Sequence, residues 1–140
     1  MNKKSADKII GQTKSVGFEI GVRRTFDAPV MRAWEVITSD EGMKLWLGDI
    51  LGLKWEKGER YTTKDETEGE IHVISPGSHL RITWWPKNWD KASTIQIRII
   101  PNGEKTTISF HQENLPGANE REEMRERWEN VLDELNKLLK

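Results

Sequence analysis

The chain has 140 residues, of which 32% are charged, and its nearly balanced acidic and basic side chains give a net charge of −1 at pH 7. This length suits one domain with a single core, and the near-neutral balance argues against nucleic acid as a partner, because nucleic-acid binders carry a basic surface and a high pI. The sequence contains no cysteine, which excludes disulfides, thiolate metal sites and a cysteine nucleophile.

The N-terminal segment and the hydropathy pattern predict a cytoplasmic protein without a membrane span. No apolar run approaches the roughly 20 residues that cross a bilayer, and the opening MNKKSADKIIGQTKS lacks the apolar stretch of a signal peptide. The lack of cysteine fits a reducing compartment. We expect residues 1–15 to form a polar tail with one short helix at residues 6–10, and residues 16–140 to form one domain.

The first elements of this domain are predicted to be a strand and two short helices. The strand is indicated by apolar residues at alternating positions, which are Phe18, Ile20, Val22 and Phe26. In the following FDAPVMRAWEVIT, Asp27 is expected to cap a helix that has Pro29 in its first turn. SDEGMKLWLG predicts a second short helix, with Ser39 or Asp40 as its cap and Gly48 as its stop.

Strands bounded by glycine or proline follow in the middle of the chain. The candidate segments are ERYTTKDE, GEIHVIS, HLRITWW, STIQIRIIP and KTTISFHQ. The first two are expected to form a hairpin around residues 67–69, and Asn102-Gly103 predicts a tight hairpin between the last two. Because apolar and polar residues alternate in three of these segments, we expect an antiparallel sheet with one covered face.

A long C-terminal helix is predicted to cover this sheet. Asn119 and Glu122 are spaced as a capping box at its start, and the charged residues that follow are interpreted as its solvated face. Its apolar residues recur at steps of four and three, and they are Met124, Trp128, Val131, Leu135 and Leu138. The element order predicts an α+β fold in which a curved antiparallel sheet wraps around a long C-terminal helix, with two short helices after the first strand.

Motifs for catalysis, metal binding or phosphate binding are missing from the sequence. His72, His79 and His111 lack the spacing of metal ligands, and there is no GxSxG nucleophile motif and no phosphate-binding loop. His72 and His111 are expected to face solvent. We therefore assign no catalytic residue, metal or cofactor and expect a binding protein rather than an enzyme. A polar residue buried in a cleft is the remaining route to catalysis.

Three of the seven tryptophans lie in the segment TWWPKNW. Trp84 has the inward parity of its strand, which is consistent both with a core position and with the wall of a cavity. Trp85 has the opposite parity and Trp89 lies in a loop. Both are therefore expected outside the core, either as scattered surface aromatics packed on lysine stems or as a patch for a partner.

Many of these positions form a pattern that resembles one protein family. The pattern consists of Phe26, Asp27, Ala28, Pro29, Trp34, Ile37, Thr38, Gly42, Trp46, Gly48, Gly69, residues 80–84 and Trp128. Over residues 16–139 the chain resembles the START-like helix-grip (SRPBCC) superfamily, in the branch named after the activator of the heat-shock-protein-90 ATPase. Many members carry two adjacent aromatics where this chain has Trp46-Leu47, so we expect the mouth of a cavity to differ here.

The resemblance implies a helix-grip fold that encloses a hydrophobic cavity between the sheet and the C-terminal helix. It also implies a module that binds a small apolar or aromatic molecule, for which Thr63 or Arg24 are candidate polar selectors. The expected ligand-binding wall consists of Tyr61, Ile71, Trp84, Ile97, Phe110, Met124, Trp128 and Val131.

Two alternative functions are consistent with the same resemblance. One is a protein-interaction module similar to a co-chaperone, which would use Trp85, Trp89 and Ile100 as an exposed patch. Full activator function is not expected, because eukaryotic chaperone activators use a second domain. The other alternative is an enzyme of the polyketide cyclase or hydrolase type, which needs a polar residue buried in the cavity.

Overall fold

The computed structural model describes residues 12–13, 17–50 and 52–140. The strands are β1 (Gln12–Thr13), β2 (Gly17–Phe26), β3 (Arg60–Thr62), β4 (Glu68–Ser75), β5 (His79–Trp84), β6 (Ser93–Asn102) and β7 (Lys105–Leu115). The helices are α1 (Val30–Thr38), α2 (Asp40–Trp46) and α3 (Ala118–Leu139). The predicted element order is confirmed. Strand β1 lies within the segment predicted to be a loose tail, and the helix predicted at residues 6–10 lies outside the described residues.

The strands form one antiparallel sheet with the order β1-β2-β7-β6-β5-β4-β3. Consecutive strands from β3 to β7 are neighbours, and β2 pairs with β7. The predicted hairpin between β6 and β7 forms with Asn102 opposite Lys105. Helix α3 contacts β2, β7 and both short helices. The predicted α+β helix-grip fold, with a curved sheet around α3, is therefore confirmed.

The inner face of the sheet and the apolar stripe of α3 share one core. Burying each large apolar side chain stabilises the fold by about 1.5–3 kcal/mol. Leu138, predicted in this stripe, is only partly buried, because Leu132 and Leu139 take the neighbouring core positions. The stripe residues that are buried are Met124, Trp128, Val131, Leu132, Leu135 and Leu139.

Arg24 interrupts the apolar pattern of β2 and is held by α3. Its guanidinium donates to Asp133 and forms an ion pair with Glu129 at 3.4 Å. The Arg24 side chain is about one-third exposed, and its two partners are more exposed than that. An ion pair in contact with water adds little stability. The pairing does explain how a charged residue is tolerated on the strand that packs against the helix.

Two predicted helix caps are not formed. Helix α1 begins after Pro29 without a side-chain cap, so Asp27 does not cap it. Helix α3 begins after Gly117, whose backbone is extended, and Asn119 lies inside the helix rather than at its cap. Ser39 does cap α2 as predicted, since its hydroxyl accepts a hydrogen bond from the Gly42 N–H at 3.0 Å.

The outer face of the sheet follows the predicted alternation with one irregularity. His72 is exposed as expected, but Val73 is exposed beside it, because the register of β4 and β5 shifts between residues 71 and 73. His111 lies on the outer face at a half-buried position, with its Nε2 2.8 Å from the Glu19 carboxylate. Ile100 is partly buried rather than exposed. Among the described residues, no helix has the length and apolarity needed to cross a bilayer.

Candidate functional site

The eight residues predicted to form a ligand-binding wall all lie in the hydrophobic core. Each is at most 5% exposed, and they belong to one cluster. Phe110 of β7 stacks on Trp128 of α3 with ring centroids 4.8 Å apart, so the layer between sheet and helix is filled by side chains at that point. The geometry brings the predicted residues together, while their role as ligand contacts stays a prediction.

A chain of buried hydrogen bonds crosses this apolar layer. Trp128 Nε1 donates to Gln112 Oε1 at 3.0 Å, and Gln112 Nε2 donates to Ser93 Oγ at 2.9 Å. The Ser93 hydroxyl in turn donates to the Trp84 carbonyl at 2.8 Å. Gln112 and Ser93 are fully buried, and this network links α3 to β7, β6 and β5. Neither residue was predicted from the sequence, although Gln112 has the same parity as Phe110.

The network ends beside a cation that is packed between tryptophans. The guanidinium carbon of Arg127 lies 5.1 Å from the ring centroid of Trp84 and 5.5 Å from that of Trp128. Arg127 Nη2 donates to the Trp46 carbonyl at 2.9 Å, which satisfies an acceptor at the last residue of α2. Trp89 completes the group by packing edge-on against Trp84, with centroids 5.4 Å apart.

We call this group the Trp84–Arg127 site, and it consists of Trp84, Trp89, Trp128, Arg127 and the Trp46 carbonyl. Two of its nitrogen atoms, Trp84 Nε1 and Arg127 Nε, are buried without a hydrogen-bond partner among the described residues. Most buried polar groups in folded proteins are hydrogen-bonded. Two unsatisfied donors in one group are therefore the most distinctive polar feature of this core.

The position of Trp89 corrects one expectation. It was predicted to lie outside the core with Trp85, but it is half-buried against Trp84. The exposed residue is Trp85, at 42%, and its Nε1 donates to the Trp89 carbonyl at 2.7 Å. Parity correctly predicts Trp85, whereas Trp89 follows a loop whose path alternation does not describe.

Arg127 of the Trp84–Arg127 site interacts electrostatically with Asp65. Burial lowers the pKa of Arg127, and the negative charge of Asp65 opposes that change. The pKa of Asp65 is itself lowered, first by the hydrogen bond that it accepts from the Thr63 hydroxyl. Thr63 also accepts from the Thr67 N–H at 3.1 Å, so this predicted polar selector closes the turn between β3 and β4. Arg24, the other predicted polar selector, is paired with Glu129 and Asp133 of α3.

The lowered pKa of Asp65 predicts a loss of stability in acid. A carboxyl whose pKa is lower in the folded state than in the unfolded state stabilises the fold above the unfolded value, here 3.8, and this contribution disappears as the pH falls through the lowered folded value. We expect Asp65→Asn to be less stable than the wild type near neutral pH. The difference should vanish in urea unfolding at pH values well below 3.8. Asp90→Asn, at an exposed position, is the control and should be as stable as the wild type near neutral pH.

The chemistry available at the site is hydrogen-bond donation and aromatic stacking. Ser93 donates its hydroxyl to the Trp84 carbonyl and accepts from the Gln112 amide, so no base in the described part of the chain activates it. Within residues 12–13, 17–50 and 52–140, no group of three or more acidic or histidine side chains is placed to hold a metal ion. The site therefore offers two unused hydrogen-bond donors, Trp84 Nε1 and Arg127 Nε, beside aromatic rings.

A separate hollow of about 390 Å³ lies on the surface beside Trp85. It is open to solvent, and Tyr61 is the one member of the predicted wall that lines it. Its other lining residues are Arg60, Thr62, Glu68, Gly69, Glu70, Thr83, Trp85 and Ala92. It is therefore distinct from the layer between sheet and α3.

Comparisons with known proteins agree with this architecture. The sequence profile of the family described as "Activator of Hsp90 ATPase homolog 1-like protein" matches residues 27–140. CalU16 from Micromonospora echinospora is 21% identical with a TM-score of 0.76, and the alignment covers 89% of this chain and 76% of CalU16. MLL2253 from Mesorhizobium loti is 20% identical with a TM-score of 0.73, covering 86% and 96%.

The HSP90 activator PFC0360w from Plasmodium falciparum has the same fold. It is 16% identical with a TM-score of 0.74, and the alignment covers 88% of this chain and 96% of that one. At these identities the structural likeness extends to the fold alone. No curated protein matches the sequence significantly.

Proposed function

Because the chain belongs to the family of Activator of Hsp90 ATPase homolog 1-like proteins, we propose that it is a binding module for a small apolar or aromatic molecule. The ligand lies between the sheet and α3 at the Trp84–Arg127 site. The predicted wall residues Trp84 and Trp128 contact it directly, and the remaining six support these two from the core. The cytoplasmic location of the protein stays a prediction. So does the division of the chain into a tail of residues 1–15 and a domain of residues 16–140.

The observation that carries this proposal is the pair of unsatisfied nitrogen atoms at Trp84 and Arg127. A buried donor without a partner costs about 1–3 kcal/mol of stability. The neighbouring polar groups Gln112 and Ser93 are hydrogen-bonded at the same depth. Unsatisfied polar groups in a core whose other polar groups are hydrogen-bonded are typical of functional sites. A ligand with an acceptor group would supply the missing partner.

The aromatic surroundings set the shape of the ligand. Tryptophan rings offer flat faces, on which another flat ring packs with a gain of about 0.5–1.5 kcal/mol beyond its buried area. The edge-on contact of Trp89 with Trp84 is made by a loop residue rather than by a strand. Since loops move more readily than strands, we propose that the loop at residues 85–92 shifts Trp89 to admit the ligand.

A thermal-shift screen tests binding at this site. Fatty acids, sterols, flavonoids and aromatic polyketides are the ligand classes to screen, and a ligand at 100 times its dissociation constant raises the unfolding free energy by about 2.7 kcal/mol. We expect the shift to be lost in Trp84→Phe, which keeps a ring but removes the indole N–H, and to be reduced in Trp89→Ala.

Trp85→Ala is the matched control, because it removes a tryptophan from the same segment at an exposed position. It should keep the ligand-induced shift. The proposal fails if no ligand class produces a shift, or if Trp84→Phe and Trp85→Ala respond equally.

A second candidate function, protein interaction, is favoured by the exposure of Trp85 beside the surface hollow. Trp89 does not join that patch, because it packs against Trp84. A partner would therefore contact Trp85 and the β3 edge of the sheet. Loss of partner capture in Trp85→Ala, with no ligand response at Trp84, would favour this function instead.

Catalysis of the cyclase or hydrolase type gains no specific support. Polar residues are buried in the layer, which is the condition that such an enzyme needs, but Gln112 and Ser93 are bound to each other and to tryptophans. No general base touches either of them among the described residues. We therefore retain the binding function.

A further inference from the structure

We propose that the Trp84–Arg127 site selects a ligand that carries a carboxylate, and that the guanidinium of Arg127 receives this group. The preferred ligands are accordingly aromatic or apolar carboxylic acids rather than their neutral analogues. This inference rests on the proposed binding function of the same site.

The hydrogen bonds of Arg127 leave donors free for such a group. A guanidinium carries five N–H donors in a planar fork that matches the two oxygens of a carboxylate. One donor of Arg127 is used by the Trp46 carbonyl at 2.9 Å, and Nε is buried without a partner. The Trp84 indole N–H, in the ring that faces the guanidinium, is a further unused donor. The acceptor oxygens of a carboxylate would supply partners for these donors.

The charge of Arg127 is also incompletely balanced. Ion pairs on α3 connect Arg121 and Arg125 to neighbouring glutamates, whereas Arg127 makes none with the described carboxylates. The negative charge of Asp65 acts on Arg127 without a hydrogen bond or ion pair between the two side chains, and the Asp65 carboxylate accepts from the Thr63 hydroxyl. Arg127 is only partly exposed, and taking a cation out of water is costly unless it is paired. The rings of Trp84 and Trp128 stabilise it in part through cation–π contacts, and an anionic ligand would complete the pairing.

A purely structural role for Arg127 predicts a different result. In that role the side chain only satisfies the Trp46 carbonyl and fills space between rings, so its replacement would lower stability without altering the preference between acids and neutral molecules. The selectivity of binding therefore separates the two roles, and stability alone does not.

Isothermal titration calorimetry near neutral pH with 2-naphthoate and 2-naphthamide tests the inference, because these probes share a ring and differ in charge. We expect the wild type to bind the acid at least about tenfold more tightly than the amide, as charge-assisted hydrogen bonds are the stronger kind. In Arg127→Gln this ratio should fall to about one while the amide affinity changes little. Arg125→Gln, at an exposed position on the same helix, should keep the wild-type ratio.

Each outcome separates the inference from the function on which it rests. Equal affinity of the wild type for acid and amide would overturn the carboxylate assignment and leave the binding function standing. A wild-type preference that persists in Arg127→Gln would also overturn the role of Arg127. If Arg127→Gln does not fold, Arg127→Lys takes its place, and the preference should shrink because an ammonium lacks the planar fork. Failure of both probes and of the wider screen would remove the binding function itself.

Discussion

Gly69→Ala is expected to lower the free energy of unfolding by about 3 kcal/mol, at the upper end of the usual effect of overpacking. Gly69 lies opposite Tyr61 in the pairing of β3 and β4. A Cβ atom at this position would overlap the Thr83 carbonyl oxygen and the Tyr61 ring. The Tyr61 hydroxyl donates to that same carbonyl at 2.5 Å, and burial raises the pKa of Tyr61, so the phenol stays protonated. The Thr83 carbonyl cannot move without disturbing β5, which lies between β4 and β6, and the buried Tyr61 cannot move without exposing its ring.

Urea unfolding of Gly69→Ala beside Gly21→Ala measures this effect. Gly21 is exposed on β2, and a Cβ there would meet the His111 ring and the Phe110 carbonyl at ordinary contact distances of 3.7 and 3.9 Å. Gly21→Ala should therefore leave stability unchanged or raise it by up to about 1 kcal/mol. Equal stability of the two variants would mean that Tyr61 does not cover Gly69 as described.

Gln112→Leu is expected to destabilise the protein by about 2 kcal/mol, although leucine is more apolar than glutamine. The substitution leaves the fully buried Trp128 Nε1 without an acceptor, and an orphaned buried donor costs about 1–3 kcal/mol. It also removes the donor to Ser93 Oγ. The network that aligns Trp128 with the inner face of the sheet is then broken at its centre.

A double-mutant cycle with Trp128→Phe isolates the hydrogen bond. Phenylalanine removes the indole N–H, so Gln112→Leu should cost less in the Trp128→Phe background than in the wild type, with a coupling energy of about 1 kcal/mol. Equilibrium unfolding of the four proteins provides the comparison. Additive effects would show that the hydrogen bond between Trp128 and Gln112 contributes no stability.

The fold could be predicted because its elements carry strong periodic signals. Alternation in β5, β6 and β7 places Leu80, Ile97 and Phe110 inward, and the structure buries all three. The stripe of α3 likewise identifies Trp128. Helix starts were predicted less well, because a cap depends on the backbone path at a junction. The Ala28 carbonyl, for example, accepts from the Thr106 hydroxyl of β7 at 2.7 Å, a contact that local sequence does not reveal.

The candidate site was predicted only in part. Trp84 and Trp128 follow from parity and helical spacing, but Arg127 was assigned to a solvated charged face. A signal for it existed, because Arg127 is three residues after Met124 and four before Val131, both on the buried face. Its contact with the Trp46 carbonyl joins segments 81 positions apart, which no local pattern encodes. Trp89 reaches Trp84 through a loop for which periodicity gives no information.

The most direct test of a ligand site at Trp84 and Arg127 is a nitrogen–proton correlation spectrum of the seven tryptophan indole groups during titration with 2-naphthoate. The Trp84 signal, identified by its disappearance in Trp84→Phe, should move downfield as its free N–H gains an acceptor. Trp34 on α1 should stay nearly fixed. A Trp84 signal that remains in place while the acid binds would contradict the account, because the ligand would then occupy another part of the protein.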